Sequence, residues 1–168
     1  MIQLDYEDLC NTLGMTEIVR LQTMLSTALV RRFERPTTLV FSDIVGSTSY
    51  FSKFGDIAGR QLQQRHIDLL PQSISKAGGR IVDTAGDGAF VCFQSVDDAM
   101  GAMIDLLRVI SIENTSHSRE HRLAVRIGIH HGLVLTDGVQ VSGDAVNFCS
   151  HITASAAAGE IRLSKATF

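Results

Sequence analysis

The stretch Leu39–Thr48, LVFSDIVGST, runs from apolar strand residues into a carboxylate and then into glycine and hydroxyls. Residues 37–43 read as one buried strand that ends on Asp43. Gly46, Ser47 and Thr48 then open a helix, whose first N–H groups have no intrahelical acceptor and suit a phosphate. About forty residues on, DTAGDGAF sets Asp87 in a Gly-Asp-Gly turn between two short strands, 80–84 and 89–93, a hairpin signal. If these strands neighbour the first, Asp43 and Asp87 converge at one sheet edge, the arrangement hard divalent ions require. Carboxylates beside a phosphate cradle suggest a nucleoside triphosphate. Taken singly, Gly-Asp-Gly serves the turn and Gly-Ser-Thr an N-cap; the conjunction carries the argument.

Outward from this stretch the chain reads in two layers. Residues 1–34 are helical in pattern and form an N-terminal segment, with Thr16 capping a helix through Arg32 and Gly14 ending a short piece before it. Ile18, Leu21, Leu25 and Ala28 alternate at spacings of three and four, either a short coiled-coil-like seam or the inner face of an amphipathic helix on its own domain. Pro36 marks the boundary, and residues 35–168 form the second domain. Helix is predicted over 47–54 and 58–76, interrupted near Gly55 and kinked or divided at Pro71, with Gly78-Gly79 ending it. A helix over 96–112, a polar loop over 113–121, a strand over 123–130 with a partner at 133–135, a helix over 145–156 and a strand over 160–163 complete the order. The sum is β-αα-β-β-α-β-β-α-β, an α+β sandwich with helices on one face of a largely antiparallel sheet.

Composition removes several classes. At 168 residues, 45% hydrophobic and 20% charged, the chain is globular and large enough to bury roughly 70% of its unfolded surface. A net charge of −3 gives no electrostatic case for nucleic acid or an anionic membrane. No apolar run approaches the ~20 residues of a membrane span, and the acidic N-terminus reads as no signal peptide. Cys10, Cys92 and Cys149 are scattered and odd in number, as reduced thiols of a cytoplasmic protein are. His66, His117, His121, His130 and His131 lack metal-ligand spacing and read as structural; His130 and His131, consecutive at a strand end, point to opposite faces.

Four blocks in order, FSDIVGST, DTAGDGAF, RIGIHHG and GDAVNFCSHI, resemble the catalytic domain of class III adenylyl/guanylyl cyclases over about 37–168. The resemblance implies the ferredoxin-like sandwich of that family, with a βααββαβ core. It implies that Asp43 and Asp87 hold two Mg²⁺ or Mn²⁺ ions, assisted by the Ile44 carbonyl. It implies a homodimer whose two sites are each shared between subunits, in which the 3′-hydroxyl of a nucleoside triphosphate attacks its own α-phosphate and pyrophosphate leaves. Two metals suit that chemistry, activating the attacking oxygen and neutralising the leaving phosphates. Asn147 should orient the ribose.

The match has departures. Four residues beyond Asn147 the family carries arginine; here it is His151, still on one helix face but without arginine's permanent charge. Of the base-reading pair, adenylyl cyclases carry lysine where Asp83 stands and aspartate where Gln140 stands. A carboxylate accepts from the N1–H and N2–H₂ of guanine, so Asp83 leans away from ATP if it reaches the base; otherwise it ends its strand as a solvated charge. The family's triphosphate-binding lysine lies beyond the last strand, so the C-terminal part of the domain is expected to be missing. The competing reading is a degenerate cyclase domain that binds nucleotide or dimerises without turnover. A diguanylate-cyclase-like domain lacks its Gly-Gly-(Asp/Glu)-Glu-Phe hairpin here, and an RNA-binding sheet lacks its basic and aromatic strand residues.

Overall fold

A computed structural model of the chain describes residues 6–84 and 86–167. Ala85 of the Asp87 turn, the first residues of the N-terminus and the Cys10 side chain, on which readings above rest, lie outside the described set. The chain divides into two compact units between Glu34 and Arg35. The first holds helices α1 (Tyr6–Thr12) and α2 (Met15–Phe33). Gly14, not Thr16, caps α2: the Glu17 carboxylate reaches back to accept the Gly14 N–H at 2.8 Å, and Thr16 falls in the first turn. No residue of α2 is buried, and Ile18, Val19, Leu25 and Leu29 stand exposed.

The second unit is built on a mixed sheet. Strand β1 (Glu34–Ile44) leads into helix α3 (Ser47–Lys76), and strands β2 (Arg80–Asp83) and β3 (Gly88–Phe93) form the hairpin. Helix α4 (Val96–Glu113), strand β4 (Val125–Thr136), the short β5 (Val141–Ser142), helix α5 (Asp144–Ser155) and strand β6 (Ile161–Leu163) follow. The strand order is β2-β3-β1-β4-β5, with β6 running parallel beside β4.

Period-two alternation sends Val40 of β1 and Val91 of β3 into one core with Leu70, Ile74, Met103 and Leu106 of α3 and α4. The intervening Leu39, Phe90 and Cys92 enter a second cluster with Cys149 of α5. Helix α5 therefore covers the opposite face of the sheet from α3 and α4, which corrects the one-faced arrangement read from the sequence. Glycine makes this possible at Gly128 of β4: a side chain there would run into the Thr153 backbone of α5.

Three local readings change. His130-His131-Gly132 is not a turn, because β4 runs through it without a break. Cross-strand partners satisfy both imidazoles: His130 Nδ1 shares a hydrogen bond with Ser164 Oγ at 2.8 Å, and His131 Nδ1 with Thr38 Oγ1 at 2.9 Å. Pro71 stays within α3; the break lies at Gly55 alone, at φ 84°. The 113–121 segment holds two 3-10 turns, Asn114–Ser116 and Arg119–His121. It is tied to α3 by Arg65, which donates twice to the Glu113 carboxylate (2.9 and 2.7 Å) and once to the His121 carbonyl (2.9 Å).

Candidate active site

Strands β1 and β3 are antiparallel neighbours in a register that sets Asp43 opposite Gly88. The Ile44 N–H donates to the Asp87 carbonyl at 3.2 Å, so strand end and hairpin turn are joined where the two acids emerge. Both aspartates line one cleft of about 260 Å³. Its floor holds Phe41 and Phe90, whose rings stack at 4.5 Å and 6°; Asp83 stands on the rim and Ser150, Thr153 and Ala154 of α5 form a wall of small residues.

Each carboxylate has a partner that fixes it. The Ser47 hydroxyl, nearly buried at the first position of α3, donates to Asp87 Oδ2. Ser47 thus orients an acid rather than offering its hydroxyl to solvent, while Gly46 takes the left-handed conformation (φ 76°) that turns the chain into α3. Thr48 is exposed beside it. Among the described residues no side-chain bond caps this helix N-terminus, and the first N–H groups of a helix lack intrahelical acceptors and suit an anion. Asp43 accepts two bonds on Oδ2 from Arg126 of β4, from Nε at 2.8 Å and Nη2 at 2.6 Å.

Beneath the acids lies His66 of α3, with no exposed surface. Its Nε2 shares a hydrogen bond with Ser42 Oγ at 2.8 Å, while its Nδ1 makes no well-formed hydrogen bond among the described residues. Burial holds its pKa below the ordinary value, outweighing the upward pull of the Asp87 carbonyl and of the two carboxylates. The imidazole is accordingly a neutral post behind the strand end.

The remaining expected residues stand elsewhere. Asn147 and His151 are exposed on α5 and do not line the cleft. Gln140 lies in the β4–β5 connection, its N–H donating to Asp137 and its carbonyl accepting from Thr136. Asp83 is exposed, and its Oδ1 accepts the Thr84 N–H.

The sequence pattern described as the adenylate and guanylate cyclase catalytic domain matches residues 31–168. The chain belongs to this cyclase family. Guanylate cyclase 2G of Mus musculus is 29% identical over a 145-residue alignment that covers 77% of this chain and 13% of that protein. The chain therefore spans a small part of the curated relative's length. Among solved structures, the guanylyl cyclase Cya2 superposes with a TM-score of 0.70 at 23% identity, covering 80% of this chain and 77% of that one. The guanylate cyclase domain of RhGC from Catenaria anguillulae, in complex with GTP, superposes at 0.66 and 22%, covering 80% of this chain and 81% of that one. These likenesses establish the fold.

In this cyclase domain the acids fit a hard divalent ion. Asp43 emerges from the end of β1 and Asp87 from the adjoining hairpin turn, with one oxygen of each left outside the bonds above. No group of three His, Cys, Asp or Glu side chains forms a metal cage among the described residues. Mg²⁺ is commonly held this way, by one or two carboxylates with the remaining positions filled by water and substrate phosphates. Sequence reasoning passed over Ser47 as a carboxylate partner and Arg126 altogether, and it read His66 as structural without placing it behind the acids. The available signal was Arg126 itself, a lone charge between Val125 and Ile127, both essentially unexposed.

Proposed function

We propose that this cyclase domain converts a nucleoside triphosphate to its 3′,5′-cyclic nucleotide and pyrophosphate. The observation that carries the reading is the convergence of Asp43 and Asp87 on one cleft beside the uncapped N-terminus of α3. Asp43 and Asp87, with the Ile44 carbonyl, would hold two Mg²⁺ or Mn²⁺ ions. When bound, these supply charge neutralisation for the reacting phosphates and lower the pKa of the attacking hydroxyl. Ser47 holds Asp87 in its orientation, and the backbone turn from Gly46 through Thr48 offers N–H groups to the triphosphate. Asp83 accepts hydrogen bonds at the rim, which favours guanine over adenine; Gln140 would be its companion toward the base.

Asn147 and His151 are exposed and do not line the Asp43 cleft of their own chain, so in this reading they serve the cleft of a second copy in a homodimer. Asn147 would orient the ribose, and His151 would face the phosphate under attack. One observation favours the second reading, a domain that binds nucleotide without turnover: the position of the family's arginine is histidine. The setting is cytoplasmic in either reading. Cys92 and Cys149 are buried free thiols, pushed up by burial to about 11 and about 12, and inert at neutral pH. No helix among the described residues is long and apolar enough to cross a membrane.

The test is metal-dependent nucleotide binding. Triphosphate affinity in Mn²⁺ should be strongly reduced in Asp43→Asn and Asp87→Asn, while circular dichroism stays native. Unchanged affinity in both variants would remove the site.

A further inference from the structure

Helix α3 has two limbs. Gly55, at φ 84° and ψ 171°, breaks the helical backbone, so residues 47–54 form a short limb of their own. That limb carries Ser47, which holds Asp87, and the first N–H groups beside the cleft. An isolated helix shorter than about 12 residues is marginal in water, and of residues 47–54 only Ser47 is buried. The limb therefore takes its position from what it rests against.

It rests on the second limb through Phe51, whose ring lies over Gly59, where a Cβ would sit 2.5 Å from it. It rests on the turn Arg119–His121 through His121. There Nδ1 shares a hydrogen bond with Tyr50 Oη at 2.7 Å, and the imidazole packs on Phe54 with ring centroids 4.7 Å apart. Tyr50 belongs to the same helical turn as Ser47, its N–H donating to the Gly46 carbonyl at 3.0 Å. The His121 backbone is held from the other limb: its carbonyl accepts from Arg65, whose guanidinium is locked by its two bonds to Glu113. His121 thus ties the two limbs together across the Gly55 break, its ring to the first and its carbonyl to the second. The neighbouring Lys53–Glu120 pair is 61% and 62% exposed, so solvent leaves it little to contribute.

The geometry points to His121 as a positioning residue for the triphosphate end of the cleft. Through Tyr50 it fixes the first turn of α3, and with that turn the Ser47 hydroxyl on Asp87 and the N–H groups from Gly46 to Thr48. This rests on the reading of the cleft as a nucleotide site given above.

The test uses the whole chain, Mn²⁺ and 3′-deoxy-GTP, a triphosphate with no 3′-hydroxyl to react. Titration calorimetry should show affinity roughly tenfold weaker in His121→Ala, the worth of one hydrogen bond with its ring contact. His121→Asn, whose amide reaches the place of Nδ1, should restore most of the loss. In a Tyr50→Phe background, His121→Asn and His121→Ala should bind alike, because the partner hydroxyl is gone. Hydrogen exchange without ligand should be faster over residues 47–54 in His121→Ala and unchanged over β1 and β3. Equal affinity in wild type and folded His121→Ala overturns the assignment. Faster exchange spread evenly over helix and sheet also overturns it, since that marks a residue serving stability alone. If His121→Ala does not fold, Tyr50→Phe, which removes a single oxygen, decides by the same two readouts. Wild type that binds no 3′-deoxy-GTP is a different failure: the nucleotide reading falls, and the positioning role falls with it.

Discussion

Replacing Gly128 with alanine should lower stability sharply, because α5 lies on that residue. A Cβ at Gly128 would sit 2.6 Å from the Thr153 nitrogen and 2.9 Å from its Cα, and closer still to its hydroxyl. The hydroxyl could rotate, but the helix backbone cannot. Ordinary contact begins near ~3.5 Å, so α5 must retreat by the difference from 2.6 Å, about 0.9 Å. The retreat would loosen Cys149, whose thiol reaches the Leu39 carbonyl at 3.3 Å beneath the same helix. Overpacking of this kind costs about 1–3 kcal/mol; the backbone clash argues for the upper half, about 2–3 kcal/mol. At roughly 3–5 °C per kcal/mol for a unit of this size, Tm should fall by about 6–15 °C. Gly101→Ala is the matched control. Gly101 lies exposed within α4 with nothing within 4 Å of its Cβ position, so alanine there should add about 0.5–1 kcal/mol by propensity. Thermal melts followed at 222 nm read both variants. A Gly128→Ala Tm within about 2 °C of wild type would mean that α5 does not pack on β4 as described.

Three further outcomes are expected. His66 is held neutral by burial, with its pKa below the value of about 6.5 it recovers on unfolding. The unfolded chain thus binds the extra proton first, and stability present above pH ~6.5 is lost as pH falls below it, by up to about 1.4 kcal/mol per unit. Urea midpoints from pH 7.5 to 5.5 should show the decline and His66→Gln should flatten it; identical slopes in both proteins would contradict the assignment. His151→Arg should raise cyclase activity at least roughly tenfold, a barrier change of ~1.4 kcal/mol, and an unchanged rate would show that His151 is not what limits turnover. Mixing Asp43→Ala with Asn147→Ala should restore one working site per heterodimer; a mixture that exchanges subunits yet stays inactive, beside an active wild type, would refute shared sites.

Short-range signals carried most of the fold. The Asp43 strand, the Gly-Asp-Gly hairpin and the Gly55 break in α3 were legible because each rests on neighbours in sequence. Misreadings came where a distant partner decides. His130-His131-Gly132 resembles a turn until Ser164 and Thr38 are brought beside the imidazoles. The side of the sheet that α5 takes depends on Leu39, Phe90 and Cys92 sharing one face with Cys149, a matter of register across three strands. At the site, the two acids could be read from their motifs, whereas Arg126 offered only a lone charge between core residues: its partner lies 83 residues away in sequence, so the pairing itself could not be read.

The most direct measurement is product formation by the purified chain with Mn²⁺ and each of ATP, GTP, CTP and UTP, with the product identified by mass. The expected product is a 3′,5′-cyclic nucleotide with pyrophosphate, with GTP the best substrate, and no product from Asp43→Asn. Absence of cyclic product from all four triphosphates, in wild type and in His151→Arg alike, would contradict a cyclase and leave a domain that binds without turnover.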